Sequence, residues 1–179
     1  MNEHPDTPTL GVQRVTALLA QNGHPHRPRL LDAAAHTARQ AADALCVNLG
    51  QIAKSIVFQR TNHNHLSDAD AAVLVVTSGD LRVDEKKVHA IVCAAGGQLT
   101  RANAEFVKAK TGFSIGGVSP VAHVTPTITL IDRQLFRFDQ IWAAAGHPSM
   151  VFALTPDELV RLTGAPVQDV TLVTQKGTA

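Results

Sequence analysis

Lys54 stands in the segment QIAKSIVF, inside a run of Ile, Ala and Val. On an extended strand Ile52, Lys54 and Ile56 share one face. A lysine there either points to solvent or, because its same-face neighbours are apolar, is partly desolvated and turned into a cleft. Gly112–Pro120, GFSIGGVSP, is the most specialised stretch, with three glycines and a proline in nine residues. Glycine lets backbone N–H groups come close to a ligand, and consecutive exposed N–H groups hold a carbonyl oxygen or a developing oxyanion. The same composition also serves a tight connection with no ligand. It lacks the Lys-Ser/Thr ending of a phosphate-binding P-loop.

His147, in AAAGHPSM, is either an acid, base or hydrogen-bond donor or part of a plain turn. Ser55, Ser78, Ser114 and Ser119 are possible nucleophiles, but the chain contains no G-x-S-x-G elbow. His24-Pro-His26 and His63-Asn-His65 have a spacing that suits metal binding on a strand, yet no matched third ligand accompanies either pair. No metal and no cofactor is therefore expected. Lys86, Lys87, Arg101, Lys108 and Lys110 form the densest basic region, read either as a solvated face or as contacts to phosphate.

The elements that must carry these residues follow from periodicity. Helical spacing from Thr9 to Leu19 ends at Gly23, and residues 27–31 are extended. A second helix over 37–46 opens on a capping box, Thr37 with Gln40. Strands are expected over 52–59 and 71–78, the second buried on both faces. A helix over 83–95 follows, then a short strand over 98–100 and a helix over 103–110 ending at Gly112. Residues 127–132, 140–145 and 150–154 read as strands, 156–162 as a helix with Pro156 in its first turn, and 167–173 as extended. Strands and helices interleave without a strict βαβ rhythm, and three late strands in succession favour antiparallel pairing. The expectation is an α+β fold: one compact domain with a mixed, mostly antiparallel, barrel-like sheet flanked by helices. Residues 1–8 form a frayed start, 9–173 the domain and 174–179 a tail.

Composition agrees with one globular domain. The chain has 179 residues, 45% hydrophobic and 17% charged, which excludes a disordered chain. Aromatics are only 4%, so Val, Leu, Ile and Ala must build the core. The net charge of +1 provides no strong field toward nucleic acid or membrane. Cys46 and Cys93 lie in Ala-rich stretches and are expected as buried free thiols. There is no apolar leader and no run long enough to span a bilayer, so a soluble, cytoplasmic protein without a membrane partner is expected.

IAKSIVF, VLVVTSGD, KTGFSIGGVSP, TITLID and TPDELVRLTGA together resemble the YbaK-like aminoacyl-tRNA deacylase family. That family includes the bacterial Cys-tRNA(Pro) deacylase and the editing domain inserted in prolyl-tRNA synthetase. The resemblance runs from the first helix to about residue 170, and Gly116–Pro120 carries its G-x-x-x-P pattern. It implies a compact α+β fold and hydrolysis of the ester joining a mischarged amino acid to the tRNA 3′ end. Under it Lys54 is the essential lysine, and N–H groups near Gly116 and Gly117 hold the ester carbonyl. Water or a substrate group attacks, with no protein nucleophile. Ser55, Gly112, Ser114, Ser119, Pro120 and His147 would shape the substrate site. The partner is the tRNA acceptor end, bound transiently, with a synthetase as a further partner.

Two features bear on the amino acid. Ala144-Ala145-Gly146 and Val151 depart from the cysteine-directed branch, whereas Gly146-His147-Pro148 is similar to the alanyl-directed branch. That branch has Asn where this chain has Ser55. The substrate is left open among alanine, serine and cysteine, with tRNA(Pro) as the leading carrier. The alternatives are a non-catalytic aminoacyl- or nucleotide-binding module of the same fold, and a hydrolase of a small ester or amide unrelated to tRNA.

Overall fold

A computed structural model describes residues 9–31, 37–61 and 70–172. Helix α1 (Leu10–Gln21) begins where the Thr9 hydroxyl accepts from Val12 N, and strand β1 (Arg29–Leu30) follows. Helix α2 (Ala38–Leu45) opens on the expected capping box of Thr37 and Gln40. Strands β2 (Ile52–Thr61) and β3 (Ala71–Ser78) come next, then helix α3 (Glu85–Val92) capped by the Asp84 side chain. Strand β4 (Gln98–Arg101) and helix α4 (Ala104–Thr111) lead into the glycine-rich loop. Strands β5 (Ile128–Asp132), β6 (Ile141–His147) and β7 (Met150–Leu154) precede helix α5 (Pro156–Thr163) and strand β8 (Val167–Gln168).

The sheet order is β1-β7-β6-β2-β3-β5-β8, with β4 paired to β2. β2–β3, β2–β4, β6–β7 and β1–β7 are antiparallel, while β2–β6, β3–β5 and β5–β8 are parallel. The sheet is therefore mixed and open, running from β1 to β8 without closing. Succession misled in one place: β5 does not join the β6–β7 hairpin but inserts beside β3, parallel to it. β3 is central, and Val73, Leu74, Val75 and Val76 are fully buried on alternating faces. One face packs Val15, Leu19, Val107, Phe113 and Leu159 from the helices and the loop. The other packs Val88 and Val92 of α3 on Phe58 and Val75. At the β7–β6 end, Ala41 and Ala42 of α2 close on Ile52 and Val151.

Cys93 is buried as expected, but Cys46 is exposed. Cys46 is the C-terminal cap of α2 with φ 55°, and that left-handed turn carries its side chain off the helix's buried face. No helix of the described residues is long and apolar enough to cross a membrane. His63 and His65 lie outside the described residues. His24 and His26 meet edge to face, with ring centroids 5.8 Å apart, and among the described residues no three His, Cys, Asp or Glu side chains gather as a metal site.

Candidate active site

A cleft of about 270 Å³ opens beside Lys54. Its walls are one flank of α2 (Thr37, Ala38, Ala41), the start of β2 (Ile52–Ile56), the loop residues Ile115, Gly116 and Val118, and Trp142, Ala144, Pro148 and Val151 of the β6–β7 hairpin. A side lobe of about 140 Å³ continues from it, sharing Ser55, Ile56, Ile115, Gly116 and Val118 and adding Val57, Arg101, Ala102 and Val107. Lys54 is the one charged residue among those lining the main cleft, and no carboxylate lines it.

The lysine is held rather than loose. Its Nζ donates to Leu81 O at 2.8 Å across the β2–β3 end. Burial pushes its pKa below the usual lysine value; the nearby Asp80 carboxylate opposes that shift, and Arg82 and Arg101 add to it. Asp80 is itself fixed: Arg137 donates to both of its carboxylate oxygens, at 2.8 and 3.2 Å. Ser78 Oγ lies 2.7 Å from Asp80 Oδ1 and 2.6 Å from Gly50 O, and it accepts from Arg137 Nη2 at 2.8 Å. Partial burial raises the Asp80 pKa, but the Arg137 and Ser78 hydrogen bonds outweigh it and hold the group below the usual carboxylate range. The lysine ammonium thus lies in the field of a carboxylate that is itself fixed in place.

Two close glycine contacts fix the loop: α1 packs on the β6–β7 hairpin, and the loop packs on that hairpin. Gly11 at the start of α1 abuts Gly146, so closely that a Cβ on Gly11 would lie 2.9 Å from Gly146 O. Gly117 in turn lies against the backbone of His147, where an added Cβ would come 2.8 Å from its Cα and C. Gly117 N–H donates to Ser114 O at 3.0 Å, and Gly116 sits at φ +89° in the third position of that turn. The Gly117 N–H is therefore committed to the turn rather than to a ligand. The N–H groups of Gly116 and Val118 make no hydrogen bond among the described residues, and both residues line the cleft.

Lys54, Ser55 and Gly116 come together, and Ser55 Oγ is buried without a partner among the described residues. The other expected residues stand back from the cleft. Gly112 caps α4 at φ +75° under the Arg14 guanidinium. Ser114 is exposed and supplies the turn carbonyl. Ser119 and Pro120 are buried; the Ser119 carbonyl accepts from His123 Nε2 at 2.8 Å, which fixes the loop's exit. His147 is the last residue of β6, exposed, with its Nδ1 accepting from Ser149 N, and Pro148 lines the cleft in its place. Asp80, Arg137, Trp142 and the α2 wall were not singled out from sequence. A carboxylate two residues after a buried strand, in TSGD, was the one local signal.

Residues 32–162 match the aminoacyl-tRNA editing domain family. The chain belongs to that family. The editing domain is 32% identical over 123 residues to YwhH of Bacillus subtilis (strain 168), an uncharacterized protein, covering 69% of this chain and 72% of that one. Among solved structures, it matches one described as a candidate trans-editing enzyme for prolyl-tRNA synthetase, with TM-score 0.80, 36% identity, and coverage of 93% of this chain and 99% of the other. A scaffold used in the computational grafting of epitopes matches with TM-score 0.81, 36% identity, and coverage of 92% and 99%.

Proposed function

We propose that this editing domain is a trans-acting deacylase that hydrolyses the ester of tRNA mischarged with a small amino acid: alanine, serine or cysteine. The observation that carries this reading is the pairing of one hydrogen-bonded, partly desolvated lysine with the Gly116 N–H, unengaged among the described residues, in a cleft lined by no carboxylate. Such a site favours negative charge that develops during reaction. The ester carbonyl sits between Lys54 and the Gly116 N–H. Water adds to the carbonyl carbon, and the tetrahedral oxyanion is held by those donors. The C–O bond to the terminal ribose then breaks; one proton of the attacking water passes to the ribose oxygen and the other to solvent, so the amino acid leaves as its carboxylate. Positioning and electrostatics supply the rate, with no protein nucleophile.

The side lobe favours a small side chain. It holds about 140 Å³ and is walled by Val57, Ala102 and Val107. Pockets discriminate single methylenes poorly, so overlap among small amino acids follows. The prolyl-tRNA synthetase link of the structural relative favours tRNA(Pro) as the carrier. With a net charge of +1 the domain meets tRNA transiently, and a synthetase would deliver the substrate. The test is a panel of tRNA(Pro), tRNA(Ala) and tRNA(Thr), each charged with Ala, Ser, Cys or its cognate amino acid. Selective loss of label from mischarged pairs supports the reading; binding of the acceptor end with every pair left intact would favour the non-catalytic module instead.

A further inference from the structure

The cleft has one aromatic wall, and Arg29, outside the lining, packs on it. That wall is Trp142, paired across β2 with Ile52. The Arg29 guanidinium of β1 lies over the Trp142 ring, 4.5 Å from its centroid. Arg29 is exposed and has no carboxylate partner among the described residues. Trp142 Nε1 is buried with no acceptor among the described residues, although a buried indole N–H ordinarily finds one. An aromatic ring, an unpaired guanidinium stacked on it and an unmet N–H donor form an arrangement that suits a base followed by a phosphate. Unstacked bases of single strands are recognised on aromatic faces and guanidinium planes, and phosphates by arginine.

We propose that Trp142 and Arg29 form a nucleotide platform that seats the single-stranded 3′ terminus of an RNA. The terminal base stacks on the Trp142–Arg29 pair, and Arg29 meets the adjoining phosphate. This deepens the deacylase reading and rests on it for the orientation of the ester: the platform fixes the nucleoside, and the amino-acid side chain falls toward the Ser55 side lobe. At about 270 Å³ the cleft is smaller than most ligand pockets, which run to roughly 300–1,000 Å³. It takes one terminal nucleoside rather than a folded stem.

Trp142 is the single tryptophan of the chain, so its fluorescence reports on the platform without any need for catalysis. The full chain is titrated with the trinucleotide CCA and, separately, with AMP. CCA is expected to quench the emission saturably and to bind more tightly than AMP. Arg29→Gln, an exposed change that leaves the core untouched, should weaken CCA binding and lower its salt slope by about one. Trp142→Leu, followed by polarisation of labelled CCA, should bind roughly 5- to 100-fold more weakly. It should raise KM for a mischarged tRNA more than it lowers kcat.

Unmoved fluorescence with CCA, quenching by AMP alone, or CCA affinity unchanged in Arg29→Gln would each overturn the platform. A protein that binds CCA in this way but cleaves no aminoacyl-tRNA keeps the platform and removes the deacylase reading. One that cleaves with CCA affinity unchanged in both variants keeps the deacylase and removes the platform.

Discussion

Gly117→Ala places a Cβ 2.8 Å from both Cα and C of His147 and 3.0 Å from its N, all backbone atoms held in the β6–β7 ladder. Ordinary contact begins near 3.4 Å, so the loop must retreat by about 0.6 Å. The hairpin is itself tightly packed at the preceding residue, where a Cβ on Gly146 would meet Gly11 C at 2.6 Å, so it has little room to give way instead. Overpacking of this kind costs roughly 1–3 kcal/mol. At about 2–4 °C per kcal/mol for a chain of this size, Tm should fall by roughly 2–12 °C. The retreat also shifts the neighbouring Gly116 relative to Lys54. A misplacement approaching 1 Å costs up to about a hundredfold in rate, so kcat should fall by tens of fold while acceptor-end binding changes little.

The paired control is Gly164→Ala. Gly164 also has a strained conformation for alanine, at φ +65°, but nothing lies within 4 Å of the added methyl. It should lower Tm by a few degrees, about 1–2 kcal/mol, with activity intact. Differential scanning fluorimetry beside single-turnover deacylation separates the two effects. A Gly117→Ala protein with wild-type Tm and wild-type rate would refute the docking argument. A rate loss in Gly164→Ala equal to that in Gly117→Ala would reduce it to general destabilisation.

Other outcomes follow from the same geometry. Asp80→Asn removes the carboxylate that opposes desolvation of Lys54 and leaves Arg137 uncompensated beside it. Both changes lower the Lys54 pKa further, and activity that needs the ammonium is lost as pH rises through that pKa. The alkaline limb of the pH–rate profile should therefore move to lower pH; an unmoved limb would separate Asp80 from the lysine. Lys54→Met should melt at or above the wild-type temperature, since a partly desolvated charge is removed, and a large loss of stability would argue for a structural lysine. His147→Ala should change the rate on every substrate by about twofold or less, because the ring is exposed and Gly117 contacts only the backbone. A switch in amino-acid preference would show that the ring enters the cleft when substrate binds.

Local signals were the legible ones. The capping box at Thr37, the Pro156 start of α5, the doubly buried run of β3 and the glycine ends of α4 and α5 are written in neighbouring residues, and each formed where expected; the Thr155–Glu158 box that caps α5 is a further local signal. Lys54 was legible because an apolar strand has no ordinary use for a lysine. Long-range assembly left no such trace. Arg137 reaches Asp80 across 57 residues, and only the insertion of β5 between β3 and β8 brings its turn to the end of β3. Trp142 had no local signal beyond its place in an expected strand, because nothing local tells which face of β6 is left uncovered beside α2. The commitment of the Gly117 N–H to Ser114 depends on a turn whose type only φ at Gly116 reveals.

The central claim is that the Lys54 ammonium stabilises the transition state of ester hydrolysis. Single-turnover deacylation of the best mischarged tRNA by wild type, Lys54→Ala and Lys54→Arg tests it most directly. If the claim holds, Lys54→Ala folds and binds CCA but loses about 100- to 1,000-fold in rate, the scale of removing one preorganised donor. Lys54→Arg recovers only part of that loss, because a planar guanidinium cannot reproduce the point contact to Leu81 O. A Lys54→Ala protein that cleaves within a few fold of wild type would contradict the claim and send the chemistry elsewhere in the cleft.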